Sequence, residues 1–156
     1  MLIYTDGSCL NNQSKTKSIG GWAGLIVFQD NEIEISDNSQ YTTNNEMELL
    51  AVVECLKFVK NDNLISDNIK IYSDSLYVIN AIQKGWLNNW KTNNFYIKNK
   101  EKRKNYKLWI QLDELHTYFE NKNIEIVYQH VYGHSGNIMN DKVDKIARNR
   151  AYELKN

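Results

Sequence analysis

Residues 21–36, GWAGLIVFQDNEIEIS, place the tightest constraint on the fold. They read as two strands with alternating side chains, joined across Gln29-Asp30-Asn31. So short a joint between two runs of period two is a hairpin, and it commits the chain to a sheet with an antiparallel part. Before it, LIYTDGS reads as a first strand ending near Asp6-Gly7, followed by the polar loop NNQSKTKSIGG. After it the period changes to that of a helix, about Thr43 to Lys60. Thr43 and Glu46 have the spacing of a capping box.

The order then alternates. NIKIYSD is a fourth strand, SLYVINAIQKG a short helix, and NYKLWIQLDELHTYFEN an amphipathic helix with Leu108, Leu112, Leu115 and Phe119 on one side. IEIVYQHV is a fifth strand. DKVDKIARNRAYEL closes the chain as a helix, with Val143, Ile146, Ala147 and Tyr152 on its buried side. The order βββαβα…αβα predicts an α/β fold, a hairpin-extended mixed sheet with helices on its faces. At 156 residues, a single domain spanning 1–156 with a sizeable core is expected.

Composition adds exclusions. Nineteen basic and nineteen acidic residues cancel, so overall charge says nothing about nucleic acid and only local patches count. Cys9 and Cys55 lack metal-ligand spacing and fit a reduced cytoplasmic setting. No run approaches the roughly 20 apolar residues of a membrane span, and the N-terminus has no signal-peptide pattern.

Four acids stand out. Asp6 and Asp74 fall at strand ends, where open α/β sheets place chemistry. Glu48 heads an apolar stripe continuing through Val52, Cys55 and Val59, an unusual place for an acid without a partner. Asp144 lies on the last helix. Clustered carboxylates repel unless a cation stands among them. Oxygen-only ligands suit Mg²⁺ or Mn²⁺ rather than zinc, and such acids can hold two ions for phosphodiester cleavage. Taken alone, Asp6 and Asp74 read more readily as turn or cap chemistry, and Asp144 reads as a solvated helix position.

The segments YTDGSC, TTNNEMELLAV, IYSDSLYV, KGWLNNWK and VYGHSGNIMNDKVDKIA occur in an order and spacing that resembles type I ribonuclease H over nearly the whole chain. The resemblance implies the ribonuclease H fold, a five-stranded mixed sheet with its first three strands antiparallel. It implies endonucleolytic, Mg²⁺-dependent cleavage of RNA paired with DNA, leaving 3′-hydroxyl and 5′-phosphate ends, with two ions per site and Mn²⁺ able to substitute. Asp6, Glu48, Asp74 and Asp144 match the family's metal-binding acids, and His134 matches its mobile histidine. Cys9, Asn12, Asn44 and Asn45 match positions that contact RNA, and Leu76 stands where many members carry a Gln beside the RNA. Trp86, Asn89, Trp90 and Lys91 belong to an aromatic and basic stretch resembling the family's basic protrusion, which lines the DNA channel. Thr43 and Asn105 match its phosphate pocket.

The chain departs from the family in its longer loop after Cys9, in Tyr41 where some members have Arg, and in Asp141 where Glu is usual. The expected partner is an RNA–DNA hybrid, the expected state a cytoplasmic monomer. Two other readings are a DNA-directed nuclease or integrase-like enzyme on the same fold, and a non-catalytic hybrid-binding protein.

Overall fold

A computed structural model describes residues 1–133 and 136–155. Three strands come first: β1 (Leu2–Leu10), β2 (Ile19–Phe28) and β3 (Asn31–Gln40). Helix α1 (Asn44–Asn61) leads into β4 (Asn68–Ser73), α2 (Leu76–Gln83) and α3 (Trp86–Thr92). A small hairpin, β5 (Tyr96–Lys98) with β6 (Glu101–Lys102), precedes α4 (Tyr106–Asn121), β7 (Glu125–His130) and α5 (Ile138–Tyr152).

Among the described residues the main sheet has five strands in the order β3-β2-β1-β4-β7. β1 pairs antiparallel with β2, and β2 with β3, while β4 runs parallel to both β1 and β7. This is the mixed sheet that the resemblance implies.

Strand alternation sorts the two faces. Ile3, Ile26, Ile33 and Ile35 face the layer of α1, α2 and α4, where Val52, Val53, Leu56, Trp109 and Phe119 complete the main core. Ala23 and Leu25 face the other way, against Val143 and Ala147 of α5. Helix α1 starts where the capping pattern places it, because the Thr43 side chain accepts a hydrogen bond from the Glu46 N–H at 3.1 Å. The reciprocal Glu46 bond of a full capping box is not among the hydrogen bonds of the described residues.

Three details depart from expectation. β1 does not end near Asp6-Gly7 but continues to Leu10, since β2 still pairs with it up to Leu10↔Ile19. What ends near Asp6 is its pairing with β4, whose last partners are Tyr4 and Tyr72. On α4 the fully buried residue of the first turn is Trp109, not Leu108, because its indole packs edge-on to Tyr77 and donates to the Tyr77 hydroxyl at 3.0 Å. Tyr152, at the end of α5, is half exposed.

Helix α5 comes so near the sheet that a Cβ on Gly21 would overlap the Ala147 carbonyl oxygen and sit 2.6 Å from the Ala151 nitrogen. Both are backbone atoms and cannot swing aside. Gly21→Ala is therefore expected to push α5 off the sheet and destabilise the fold by about 1–3 kcal/mol, the usual scale of overpacking. Urea denaturation followed by circular dichroism measures this.

Candidate active site

The acids converge through two structural accidents of the sheet. β4 leaves the side of β1 beyond Tyr72, so Asp6 loses its neighbour where β4 gives way to Asp74. Tyr4 packs with the α5 cluster, and by alternation Asp6 shares that face. Glu48 arrives from the opposite layer. It can do so because Gly7 has no side chain: a Cβ there would overlap the Glu48 backbone nitrogen.

Carboxylate oxygens of Asp6, Glu48 and Asp74 consequently lie within 4.8 Å of one another. Asp6 is buried, its Oδ1 accepting from the Gly7 N–H at 2.9 Å. Glu48 is partly exposed as a residue, but its Oε2 is wholly enclosed and has no hydrogen-bond partner among the described residues. The atom, rather than the residue average, is what an incoming ligand meets. Asp144 lines the same recess, of about 410 Å³, without joining the tight group of three. Its Oδ2 is paired with Arg148 Nη2 at 3.0 Å.

Burial raises the affinity of Asp6, Glu48 and Asp74 for protons. Asp6 is pushed up from 3.8 to about 8, chiefly by burial, with the Asp74 and Asp144 charges adding to it and hydrogen bonds from Glu48 and Gly7 opposing it. Glu48 is raised well above its ordinary range by burial and then by the Asp6 charge. Asp74 is raised by burial, against a hydrogen bond with Asp6. An enclosed, unpartnered carboxylate oxygen beside two more acids fits a divalent cation with oxygen ligands. The donor set suits Mg²⁺ or Mn²⁺ better than zinc, having no sulfur or imidazole.

The remaining sequence-predicted positions fall into groups. Asn44 and Asn45 line the acid recess beside Leu76, which is 56% exposed and open to a ligand. Asn44 and Asn45 also line a second recess with Asn12, Thr43, Lys104 and Asn105. Asn12 Oδ1 accepts from the Asn44 N–H at 2.7 Å, tying the long loop to the start of α1. Cys9 is partly buried, with Sγ 3.5 Å from the Thr42 carbonyl oxygen. Trp86 and Trp90 are neighbours on α3 with centroids 6.4 Å apart, Asn89 lies between them in sequence, and Arg103 stacks on Trp90. Lys91 pairs with Asp113 at 2.9 Å and faces a separate cavity of about 300 Å³ that contains none of the four acids. His134 lies outside the described residues.

Two residues were not singled out by sequence reasoning. Tyr77 lines both recesses, and its hydroxyl accepts from Asn105 Nδ2 at 3.2 Å and from Trp109. Its position three residues after Asp74 was the available signal. The other, His130, ends β7 opposite Ser73, and its Nε2 lies 3.3 Å from the Asp74 carbonyl oxygen.

A ribonuclease H-like sheet with an oxygen-only acid cluster at the parting of two parallel strands defines a class of metal-dependent α/β proteins. Comparison with known proteins makes this specific. The RNase H family model matches residues 1–152. The ribonuclease H of Syntrophomonas wolfei is 41% identical over 154 residues, covering 99% of this chain and 97% of that protein. That of Ehrlichia chaffeensis is 39% identical over 150 residues, covering 96% and 93%. The structure of LC11-RNase H1 in complex with an RNA/DNA hybrid aligns with a TM-score of 0.71 at 17% identity, covering 97% of this chain and 96% of that one, a likeness of fold. The chain belongs to the ribonuclease H family.

The proton affinities give a sign to stability. A carboxyl whose folded value lies above its unfolded value favours the folded state fully below pH ~4 and loses that favour as pH rises toward 8. Metal-free protein should therefore melt at a lower temperature at pH 8 than at pH 5.5 when scanned in EDTA. Asp6→Asn should raise the pH 8 value by at least about 1 kcal/mol, roughly 2–4 °C. Added Mg²⁺ should stabilise the wild type more at the higher pH, where the acids ionise readily.

Proposed function

We propose that this chain hydrolyses the RNA strand of RNA–DNA hybrids at the recess holding Asp6, Glu48, Asp74 and Asp144. The observation that carries the reading is the meeting of three carboxylates within 4.8 Å, one with an enclosed and unpartnered oxygen. Relatives of about 40% identity are ribonucleases H, and a protein of the same fold has been seen with an RNA/DNA hybrid.

The four acids hold two divalent ions, Mg²⁺ or in its place Mn²⁺. When bound, such ions supply an activated water and neutralise charge developing on the departing oxygen. The protein's own part is positional. The Gly7 N–H fixes the Asp6 carboxylate, and the backbone approach at Gly7 sets Glu48 opposite it. Water adds across the bond between phosphorus and the 3′-oxygen, leaving a 3′-hydroxyl and a 5′-phosphate. His134, assigned from its sequence motif, assists proton movement or product release.

Substrate choice follows from what surrounds the acids. Cys9, Asn12, Asn44 and Asn45 present neutral polar groups to the RNA strand, whose 2′-hydroxyl distinguishes it from DNA. Leu76 offers an apolar surface there. Thr43 and Asn105 receive a DNA phosphate, with Lys104 nearby. Trp86, Asn89 and Trp90 lie along the DNA strand, with aromatic faces suited to sugars and bases. Lys91, paired with Asp113 at 2.9 Å, is open to a DNA phosphate only when that pair parts. The enzyme acts as a single-domain monomer in the cytoplasm. Among the described residues no helix is long and apolar enough to cross a membrane.

A gel assay with labelled RNA–DNA, RNA–RNA and DNA–DNA duplexes tests the reading. Only the RNA of the hybrid should be cut, and only with Mg²⁺ or Mn²⁺. Asp6→Asn should lower the rate by at least about a hundredfold, roughly 2.7 kcal/mol of barrier. An intact hybrid in both metals, or equal cleavage of duplex DNA, would count against it.

A further inference from the structure

The four acids are not electrostatically equivalent. Among the described residues, no lysine or arginine nitrogen lies within 4.0 Å of the Asp6, Glu48 or Asp74 carboxylates. Asp144 is different: the Arg148 guanidinium, one helical turn further along α5, sits 3.0 Å from its Oδ2. The aspartate is partly shielded, at 24% exposure, while the arginine is 54% exposed. The pair has the i,i+4 spacing that keeps two side chains on one helix face.

We propose that Arg148 is a positioning residue that acts as a built-in counter-cation for Asp144 and makes loading of the metal site stepwise. Without metal, its charge offsets part of the repulsion that Asp144 would add to the three-acid group. Among the described residues, a divalent cation drawn to Asp6, Glu48 and Asp74 meets no lysine or arginine paired with those acids. A cation that also needs Asp144 must displace the guanidinium, or share the carboxylate with it across a short distance of like charge. The first ion is thus admitted freely and the second at a penalty set by the Arg148 pair. The half-exposed pair can swing away at modest cost, so the penalty is a tuning of affinity rather than a block.

This rests on the reading of Asp144 as a metal ligand, and its test does not depend on cleavage. Mn²⁺ binding to the full chain is titrated without nucleic acid, by calorimetry and by the loss of free-ion paramagnetic signal. Arg148→Gln keeps the helix-forming stem and removes the charge. It should tighten the weaker Mn²⁺ step by about two- to fivefold, the scale of a half-exposed ion pair, and leave the tighter step within about twofold. Lys145→Gln removes the same charge from the next residue to Asp144 and should change neither step by more than about twofold, the lower bound of that scale. In an Asp144→Asn background the effect of Arg148→Gln should vanish. Circular dichroism confirms that each variant is folded.

Equal Mn²⁺ affinities in wild type and folded Arg148→Gln would overturn the proposal and leave the proposed function standing. So would an equal gain from Lys145→Gln, or a gain that survives Asp144→Asn. A wild type that binds no Mn²⁺ would overturn the metal reading and this inference with it.

Discussion

The close passage of α1 over β1 at Gly7 is the contact on which the site depends. Asp6 points from β1 to the α5 face while Glu48 comes from α1 on the other face, and only a backbone without a side chain at Gly7 lets them meet. A residue with a Cβ at position 7 would lift the start of α1, and with it the cap at Thr43 and the asparagines of the first turn. One missing methyl group therefore sets the relation between the acid recess and the polar groups that border it. Parallel pairing supplies the other half: where β4 parts from β1, Asp74 is left facing the same space.

Such an arrangement is costly to the bare protein. Burial and mutual repulsion make these three carboxyls hold protons more tightly than usual, and among the described residues an enclosed oxygen of Glu48 has no hydrogen-bond partner. The surrounding fold bears that cost through a core spread over both faces of the sheet. The same unfavourable terms become favourable when a cation stands among the acids, so local instability and affinity for metal share one origin.

Much of this was legible in the residues. The hairpin at 21–36, the first helix and the alternation of later strands and helices follow from periodicity, and the three acids that meet are those that sequence placed at strand ends and on the odd polar position of α1. The misread parts have physical reasons. β1 runs on past Gly7 because its partner β2 does, which no local pattern in YTDGS reveals. Trp109 lies deeper in the core than Leu108, which packs at its margin, because a distant hydroxyl, on Tyr77, gives its indole a partner. The short α3 and the β5–β6 hairpin were hidden in a stretch read only as aromatic and basic. Tyr77 was signalled only by its nearness to Asp74 in sequence, and His130 reaches the site through a tertiary contact that no spacing announces.

The clasp between α5 and β3 has a consequence for how the site is completed. Arg150 donates to the Ser36 hydroxyl and carbonyl, at 2.8 and 3.3 Å, and Asn38 donates to the Arg150 carbonyl at 3.1 Å. These bonds join residues 112 to 114 positions apart. Closing so long a loop adds little to the thermodynamic bill, since each doubling of length costs only roughly 0.6 kcal/mol. It does add to the non-local pairing that slows folding. Asp144 rides on the helix that these bonds hold to the sheet. Asp6, Glu48 and Asp74 all lie in the first half of the chain, whereas the fourth acid reaches the recess only through this contact between the final helix and the first hairpin.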